Sequence, residues 1–282
     1  MTDNLEQLRN WVGKKDSRKD IVAPWPVTAL ASTVDDAAIV AENGQALPPG
    51  WHWIFFLEAK PPSELGTDGH PAKGSFLPPI ALPRRMWAGG RLELLRPLII
   101  GETITRESEI VSVEPKSGRT GNLVFVTVRH TVQAGGQTAI VEEQDIVYRE
   151  AAKKGDPLPP GKQAPADPQW SRRVMPDSVM LFRYSALTFN GHRIHYDKDY
   201  AIHEEHYPGL VVHGPLQATL LLDLCRKHSE RPVRKFEYRA QHPMFAGSPF
   251  TVNGSFDATT SQADVWTAND AGNYAMRGTA TF

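Results

Sequence analysis

Residues 189–197 carry the densest set of chemically active side chains in the sequence. The segment reads Phe-Asn-Gly-His-Arg-Ile-His-Tyr-Asp and supplies an amide, two imidazoles, a guanidinium and a carboxylate. Residues 207–215, Tyr-Pro-Gly-Leu-Val-Val-His-Gly-Pro, add a third imidazole beside a glycine. Every polar group that is buried must find a partner, so a purely packing segment would not carry so many of them. The two segments therefore indicate a reaction site.

His195 is the residue of these segments best suited to move protons. An imidazole has an ordinary pKa near about 6.5, so it can take up and release a proton around neutral pH. Asn190 lies five residues earlier, and its amide can hold a water molecule without exchanging protons with it. Gly214 opens the apolar helical run that follows, where unpaired N–H groups and the positive end of the helix dipole coincide. This set of groups is typical of a reaction site rather than of a packed core.

The composition restricts the classes of partner. The 282 residues include 31 basic and 32 acidic side chains, for a formal net charge of −1. Such a chain lacks the basic excess that binds nucleic acid or an anionic membrane, so an anionic ligand needs a local basic pocket. The single cysteine, Cys225, excludes an intramolecular disulfide and a thiolate metal cage. We expect neither a signal peptide nor a membrane span, and therefore a cytoplasmic protein.

The order of elements predicts two halves. Residues 1–150 and residues 171–282 each pass from helical runs to a series of strands, and the proline-rich residues 151–170 form a linker between them. An internal repeat supports this division: residues 94–105 align with residues 240–251 through a shared proline, a glycine four residues later and a common apolar-threonine pair. The fold implied is α+β, with two tandem antiparallel sheets each wrapped around a central helix.

Three segments of the first half have their own predicted structures. Residues 3–15 are predicted to form an amphipathic helix and residues 51–56 a buried strand. Residues 60–83 are rich in proline and glycine and are predicted to form a long irregular loop, which in compact domains often carries function.

The polar segments resemble the MaoC-like hydratases and dehydratases of the hot-dog fold. The likeness is greater to a sub-branch of double hot-dog enzymes, the type 2 3-hydroxyacyl-thioester dehydratases and the itaconyl-CoA and mesaconyl-C4-CoA hydratases, which share Phe-Asn-Gly-His-Arg-Ile-His-Tyr-Asp and His-Gly-Pro. Residues 82–90 and 142–148 resemble the non-catalytic half of those enzymes. The resemblance spans nearly the whole chain and implies a non-catalytic first half and a catalytic second half.

One position departs from the broad MaoC-like pattern. Asn190 stands where that family has a carboxylate, and His192 stands where it has an asparagine. The sub-branch shares the asparagine, so the resemblance still implies a hydro-lyase in which the roles are redistributed. Its catalytic residues would be His195 as the base, Asn190 as the water ligand and the N–H of Gly214 as the donor to the enolate oxygen, an interaction worth on the order of 3 kcal/mol.

A CoA thioester would present phosphate charges and an adenine ring, which guanidinium and aromatic groups suit. The residues predicted to bind the substrate are Tyr184, His192, Arg193, His213, Arg84 and Arg85. An arginine of this set would meet an additional carboxylate on the acyl group, although Arg193 is equally suited to a salt bridge. Residues 33–36 of the first half occupy the place of Phe189 and Asn190 and are predicted to be a vestige that widens the pocket.

Several alternatives stay open. The spacing of His192 with His195, and of His203 with His206, suits zinc, but three or four of them would have to converge, and we predict no metal site. Asp197 either orients an imidazole or caps a helix. The same fold supports a thioesterase, which would need a carboxylate where Asn190 stands, or a non-catalytic acyl-CoA-binding module.

The sequence therefore predicts a cytoplasmic, homodimeric enoyl-CoA hydratase. Its substrate would be itaconyl-CoA or mesaconyl-C4-CoA, converted reversibly to citramalyl-CoA, with a 3-hydroxyacyl-thioester dehydratase of fatty acid metabolism as the alternative. No dinucleotide or phosphate-loop fingerprint is present, and we expect no cofactor beyond the CoA of the substrate. We expect no nucleic acid and no membrane among its partners.

Overall fold

The computed structural model describes residues 7–118, 121–151, 155–158 and 160–282. Within these ranges ten strands form one antiparallel sheet in the order β1-β3-β4-β5-β2-β7-β10-β9-β8-β6. The strands are β1 (Lys15–Ile21), β2 (Arg84–Leu94), β3 (Thr103–Gly118), β4 (Gly121–Ala134), β5 (Gln137–Arg149), β6 (Trp170–Val174), β7 (Lys235–Ala240), β8 (Phe250–Asp257), β9 (Gln262–Asn269) and β10 (Tyr274–Thr281).

The helices are few and lie mainly in the second half. They are α1 (Pro24–Thr33), α2 (Ser178–Leu187), α3 (Lys198–His203) and α4 (Gly214–His228), with 3-10 turns at Trp51–Ile54, Pro62–Glu64 and Arg193–His195. Helix α4 is buried from Leu216 to Cys225 and packs on β8, β9 and β10. Pro215 in its first turn and the basic residues of its last turn suit a helix start and a helix end.

The two halves repeat the same strand order, which confirms the predicted α+β class and supports the internal duplication. The first five strands are ordered 1-3-4-5-2, and the last five follow the same scheme from the other edge. The halves join where β2 pairs antiparallel with β7, with Gly90 opposite Tyr238. A Cβ on Gly89 would lie 2.5 Å from the Tyr238 carbonyl oxygen, so the joint needs a residue without a side chain there.

The longest helix in the described part of the first half is α1, with 10 residues, compared with 15 residues in α4 of the second half. Residues 51–56 were predicted to form a strand, which is wrong: Trp51–Ile54 is a single 3-10 turn. Two prolines and a glycine precede the turn, and such residues favour turns over strand pairing. Trp51 is fully buried, and its indole N–H donates to Asp223 of α4 at 3.1 Å. This bond fastens the turn of the first half to the central helix of the second.

Other boundaries differ from the sequence-based expectation. Of the predicted helix 3–15, residues 1–6 lie outside the described ranges, residues 7–9 are helical, and Lys15 already begins β1. Of the predicted linker 151–170, residues 152–154 and 159 are likewise outside, while Gln163 forms a bridge with Asn273. The domain boundaries themselves stay a prediction. Among the described residues no helix is both long and apolar enough to cross a membrane.

The predicted vestige at residues 33–36 ties the halves together. Asp36 is 4% exposed, and its carboxylate contacts Arg226 at 2.5 Å and Lys227 at 3.0 Å at the carboxyl end of α4. Burial by itself would raise the pKa of Asp36, but the hydrogen bonds and charges of Lys227 and Arg226 outweigh it and hold the pKa below its ordinary value. Asp36 therefore contributes a contact between the two halves, and the correspondence of residues 33–36 with Phe189 and Asn190 stays a prediction.

We predict that Asp36→Asn lowers the free energy of unfolding by about 2 kcal/mol at pH 7, because charge-assisted hydrogen bonds are lost. Since the folded-state pKa of Asp36 is lowered, its contribution is present above the unfolded-state pKa and is lost as the pH falls through the folded-state value. Urea unfolding at pH 7 and below pH 4 measures both effects. Asp35→Asn, at the exposed neighbour, is the control and should change stability by less than about 0.5 kcal/mol; equal effects of the two variants would contradict the prediction.

Candidate active site

The polar segments form a compact connection between α2 and α4. After α2 the chain turns sharply at Phe189, whose φ is 47°, and the side-chain oxygen of Asn190 accepts from the His192 N–H at 3.0 Å. The 3-10 turn at Arg193–His195 follows, and Asp197 caps α3 by accepting from the Tyr200 N–H at 3.0 Å. Asp197 is therefore a helix cap, as one of the two alternatives predicted.

His195 is held in one orientation and one tautomer. It is 7% exposed, and its Nδ1 donates to the Val211 carbonyl oxygen at 2.7 Å. Among the described residues no group hydrogen-bonds to its Nε2, so that nitrogen carries an available lone pair. Burial lowers the pKa of His195 to about 4, against the smaller opposing effect of the Val211 hydrogen bond. His195 is therefore a neutral base at neutral pH.

His213 supports His195 from the residue that precedes α4. The two rings stack at 3.7 Å between centroids, and His213 Nε2 is 2.8 Å from the Ser185 hydroxyl. Burial lowers the pKa of the fully enclosed His213 well below its ordinary value. Tyr184 packs its ring edge on His213 at 5.0 Å and is 1% exposed. His213 and Tyr184, both predicted to bind the substrate, thus lie behind His195 as its packing support.

Gly214 begins α4 directly after His213. A Cβ on Gly214 would have its nearest neighbours 3.9 Å away, at Met276 and at the Trp87 carbonyl oxygen, so the helix start is uncrowded. The first N–H groups of a helix have no partner within it and coincide with the positive end of its dipole. The stacking of His213 on His195 therefore brings a neutral base and an anion-stabilising helix start to one place.

The long loop of the first half contributes to this site, which the sequence did not predict residue by residue. The Arg193 N–H donates to the Asp68 carbonyl oxygen at 2.9 Å, and its guanidinium donates to the Thr67 carbonyl oxygen at 3.1 Å. Gly69 lies against Gly191 so closely that a Cβ on Gly69 would be 2.0 Å from the Gly191 carbonyl oxygen. The turn 66–70 is thereby docked on the motif of the second half.

This docking brings a fourth imidazole and a carboxylate to the site. His70 Nδ1 is 3.0 Å from the Asp68 carboxylate, and the His70 ring lies 4.2 Å from that of His192. His192 in turn meets His195 edge to face at 5.3 Å. Burial lowers the pKa of both His70 and His192. Burial opposes ionisation of Asp68, but the hydrogen bond and charge of His70 and the charge of Arg85 outweigh it and hold its pKa below the ordinary value.

The same residues form a group that a metal ion could in principle approach. Potential ligand atoms of Asp68, His70 and His192 lie within 4.8 Å of one another. Two imidazoles bound to one zinc at the tetrahedral angle have ring centroids roughly 5 Å apart, with their lone pairs directed at the metal. The ring centroids of His70 and His192 are only 4.2 Å apart, and the Asp68 carboxylate is already hydrogen-bonded to His70 Nδ1. The contacts fit a hydrogen-bonded Asp68–His70 pair, with the tilted ring of His192 packed against His70, better than a set of metal ligands. His203 is exposed and does not belong to the group.

The predicted arginines have different positions. Arg84 is 7% exposed and forms an ion pair with Glu205 at 2.5 Å, with its guanidinium over the Tyr207 ring; this contact argues against the predicted substrate role because the charge is already neutralised. Arg193 pairs with Asp197 at 2.8 Å and stacks on Tyr200, which also favours a structural role. Arg85, the next residue on β2, lies close enough to Asp68 and His70 for its charge to act on their pKa values.

We predict that Gly69→Ala detaches the turn 66–70, because the added Cβ has no space against Gly191 and the residue has a φ of +86°. Limited proteolysis should then cut within residues 60–83 at least about tenfold faster, while the melting temperature of the sheet changes little. Gly74→Ala is the matched control, since Gly74 has a φ of +98° in the same loop and its Cβ would meet nothing nearer than 3.6 Å. Equal cleavage rates in the two variants would show that the contact does not hold the loop.

Comparison with known sequences identifies relatives along most of the chain. The profile of the family described as hydroxyacyl-thioester dehydratase type 2 matches residues 50–246. The chain is 47% identical over 245 residues to a protein of Chloroflexus aurantiacus named mesaconyl-C(4)-CoA hydratase, covering 86% of each sequence. It is 30% identical over 266 residues to the mitochondrial hydroxyacyl-thioester dehydratase type 2 of Schizosaccharomyces pombe, covering 83% of this chain and 88% of the relative.

Comparison with solved structures identifies the fold. HtdX of Mycobacterium tuberculosis matches with a TM-score of 0.66 at 17% identity, covering 95% of this chain and 99% of HtdX. A second protein of that organism, described as having a double hot-dog fold, matches with a TM-score of 0.58 at 14% identity and 96% coverage of both chains. The predicted double hot-dog fold is thus confirmed. With its duplicated sheet and its motif on the second half, the chain belongs to the hydroxyacyl-thioester dehydratase type 2 family, within the MaoC-like hot-dog proteins.

Proposed function

We propose that the protein adds water reversibly across the C=C bond of an enoyl-CoA thioester, with mesaconyl-C4-CoA or itaconyl-CoA as substrate and citramalyl-CoA as product. The name of the relative at 47% identity supports the acyl group. The observation that carries the reaction type is the 3.7 Å stacking of His195, a neutral base, on His213, the residue before the helix start at Gly214. A base and an anion-stabilising helix start are the two groups that the addition of water to an unsaturated thioester requires.

In the hydration direction, His195 Nε2 accepts a proton from water while the water oxygen bonds to the carbon β to the thioester. The electron pair of the C=C bond moves toward the carbonyl, and the resulting enolate oxygen accepts hydrogen bonds at the start of α4, including that of Gly214. One proton is then delivered to the α-carbon, and the His195 imidazolium returns to its neutral state. Asn190 holds the water by donating a hydrogen bond from its side-chain NH₂ group, because its side-chain oxygen already accepts from the His192 N–H.

Among the predicted arginines, Arg85 is the group that we propose to meet a second carboxylate on the acyl chain. Arg84 and Arg193 are already paired with Glu205 and Asp197, whereas Arg85 lies near the Asp68–His70 pair. A dehydratase acting on 3-hydroxyacyl thioesters of fatty acid metabolism is the second candidate, since the Schizosaccharomyces pombe relative carries that name. We further propose that the protein acts as a homodimer in the cytoplasm and needs no cofactor beyond the CoA of its substrate.

Incubation with a panel of enoyl-CoA thioesters tests the reaction type and the acyl group together. We expect loss of the conjugated enoyl absorbance without release of free thiol, fastest with mesaconyl-C4-CoA or itaconyl-CoA. Faster turnover of straight-chain enoyl-CoA would favour the fatty acyl dehydratase, and thiol release would indicate a thioesterase. Binding without any reaction would contradict the hydratase proposal.

We predict that His195→Gln lowers kcat by about 10²-fold or more, because glutamine cannot exchange a proton. Since the pKa of His195 is lowered to about 4, the wild-type hydration rate should be flat from neutral pH to about pH 5 and fall only as the imidazole becomes protonated. Steady-state kinetics over this range measure both effects. His203→Gln, on the exposed end of α3, is the control and should leave kcat unchanged; an active His195→Gln variant would contradict the assignment.

A further inference from the structure

Two histidines at the site have the same hydrogen-bonding arrangement. His195 Nδ1 is held by the Val211 carbonyl oxygen and His70 Nδ1 by the Asp68 carboxylate. In the described part of the chain neither Nε2 has a hydrogen-bond partner. An imidazole whose Nδ1–H is engaged presents the lone pair of Nε2, and its ring orientation is then fixed by the acceptor. The site therefore contains two oriented bases, one from each half of the chain.

The hydrogen-bond acceptor of His70 Nδ1 is a negatively charged carboxylate, whereas that of His195 Nδ1 is a neutral carbonyl oxygen. A carboxylate stabilises the imidazolium that forms when its histidine takes up a proton, which a neutral carbonyl does to a smaller extent. Burial keeps the pKa of His70 below its ordinary value, and the Asp68 hydrogen bond opposes that effect. His70 is thus neutral before the reaction and stabilised after it accepts a proton.

His70 is also placed where water and substrate can reach it. Its side chain is 21% exposed, whereas His195 as a whole residue is 7% exposed. The ring distances from His70 to His192 and from His192 to His195 limit the separation of the two outer rings to less than about 9.5 Å. Two imidazoles that share one water molecule through their Nε2 atoms have ring centroids at most about 8 Å apart, since each N···O distance is about 2.9 Å, and such a separation lies within that limit.

We propose that His70 is a second proton-transfer residue of the active site, oriented by Asp68, and that it takes the place of the carboxylate that Asn190 does not provide. The inference rests on the proposed hydratase function. Asp68 is the positioning residue, and the contact of the turn 66–70 with Gly191 places the side chains of Asp68 and His70 at the active site. The first half, which lacks the catalytic motif, thereby contributes to catalysis.

In the hydration direction the water donates hydrogen bonds to both Nε2 atoms, which aims an oxygen lone pair at the β-carbon. As the C–O bond forms, one O–H bond breaks and its proton passes to His195, while the C=C electron pair becomes the enolate held at α4. The new β-hydroxyl group lies between the two Nε2 atoms and relays the proton: it takes back the proton of the His195 imidazolium and passes its own proton to His70. The His70 imidazolium releases that proton to the α-carbon, so one water is consumed and both imidazoles return to the neutral state.

Four groups lie around His70: Asp68 on its own turn, Arg85 on β2, His192 on the motif, and His195 beyond it. The guanidinium of Arg85 is already protonated and cannot accept a proton. His192 contacts Asp68 less directly, and its pKa is lowered by burial and by the neighbouring histidines, so His70 is the better proton acceptor of the two.

The test compares wild type with His70→Gln, His70→Ala, Asp68→Asn and the double variant Asp68→Asn/His70→Gln on the fastest enoyl-CoA of the panel. We expect His70→Gln to lower kcat by about 10²-fold with KM within about threefold. Asp68→Asn should lower kcat by about tenfold or more, and the double variant should be no slower than His70→Gln because the two residues act as one unit. Free imidazole should raise the kcat of His70→Ala by at least about tenfold, an effect that a purely structural role of His70 would not produce.

Control variants are His203→Gln and Asp199→Asn on α3, both exposed. An active wild type with an equally active His70→Gln variant would overturn the inference alone, whereas a wild type that hydrates no enoyl-CoA would overturn the hydratase function and the inference together. A raised KM with unchanged kcat would make His70 a binding residue instead. Elemental analysis completes the test: a tightly bound metal in wild type that His70→Gln lacks would replace the proton-transfer role by a metal site.

Discussion

The contact between Gly69 and Gly191 is the constraint on which the site depends. The two backbones approach until neither position has space for a Cβ, because a Cβ on Gly191 would also lie only 2.5 Å from the Gly69 carbonyl oxygen. This approach lets the Arg193 N–H reach the Asp68 carbonyl oxygen, and it places His70 on His192. A side chain at either position would separate the loop from the motif and leave several backbone polar groups without partners.

The duplicated fold has been used differently in its two halves. Both have the strand order 1-3-4-5-2, but the second half has the long buried helix α4, whereas the described part of the β1–β2 connection in the first half contains the shorter helix α1 and two 3-10 turns. Asp36 of the first half pairs with the end of that helix, and Trp51 bonds to its Asp223. The first half has thus become a support for the helix, and its long loop covers the site that the helix start defines.

Burial sets the electrostatic character of the site. The imidazoles of His70, His192, His195 and His213 all have pKa values lowered by desolvation, so these four rings add no positive charge at neutral pH. The positive potential available to an enolate then comes from the start of α4, whose dipole does not titrate. Proton acceptors and an anion site can therefore lie side by side. The imidazoles are neutral and able to accept a proton, while the start of α4 supplies the positive potential.

The sequence by itself determined the α+β class, the duplication and most of the strands of both halves, because local patterning specifies these features. Its long contiguous motif also predicted His195 and Gly214 as site residues. It did not determine how the two arginines are paired: Arg84 and Arg85 are adjacent in sequence, and the tertiary structure places Arg84 against Glu205 and Arg85 near Asp68. It also did not reveal Asp68 and His70 as site residues. They lie more than a hundred residues from the motif in the sequence. The close contact of Gly69 with Gly191 brings them to the motif, and such a contact leaves no periodic pattern that sequence analysis could detect.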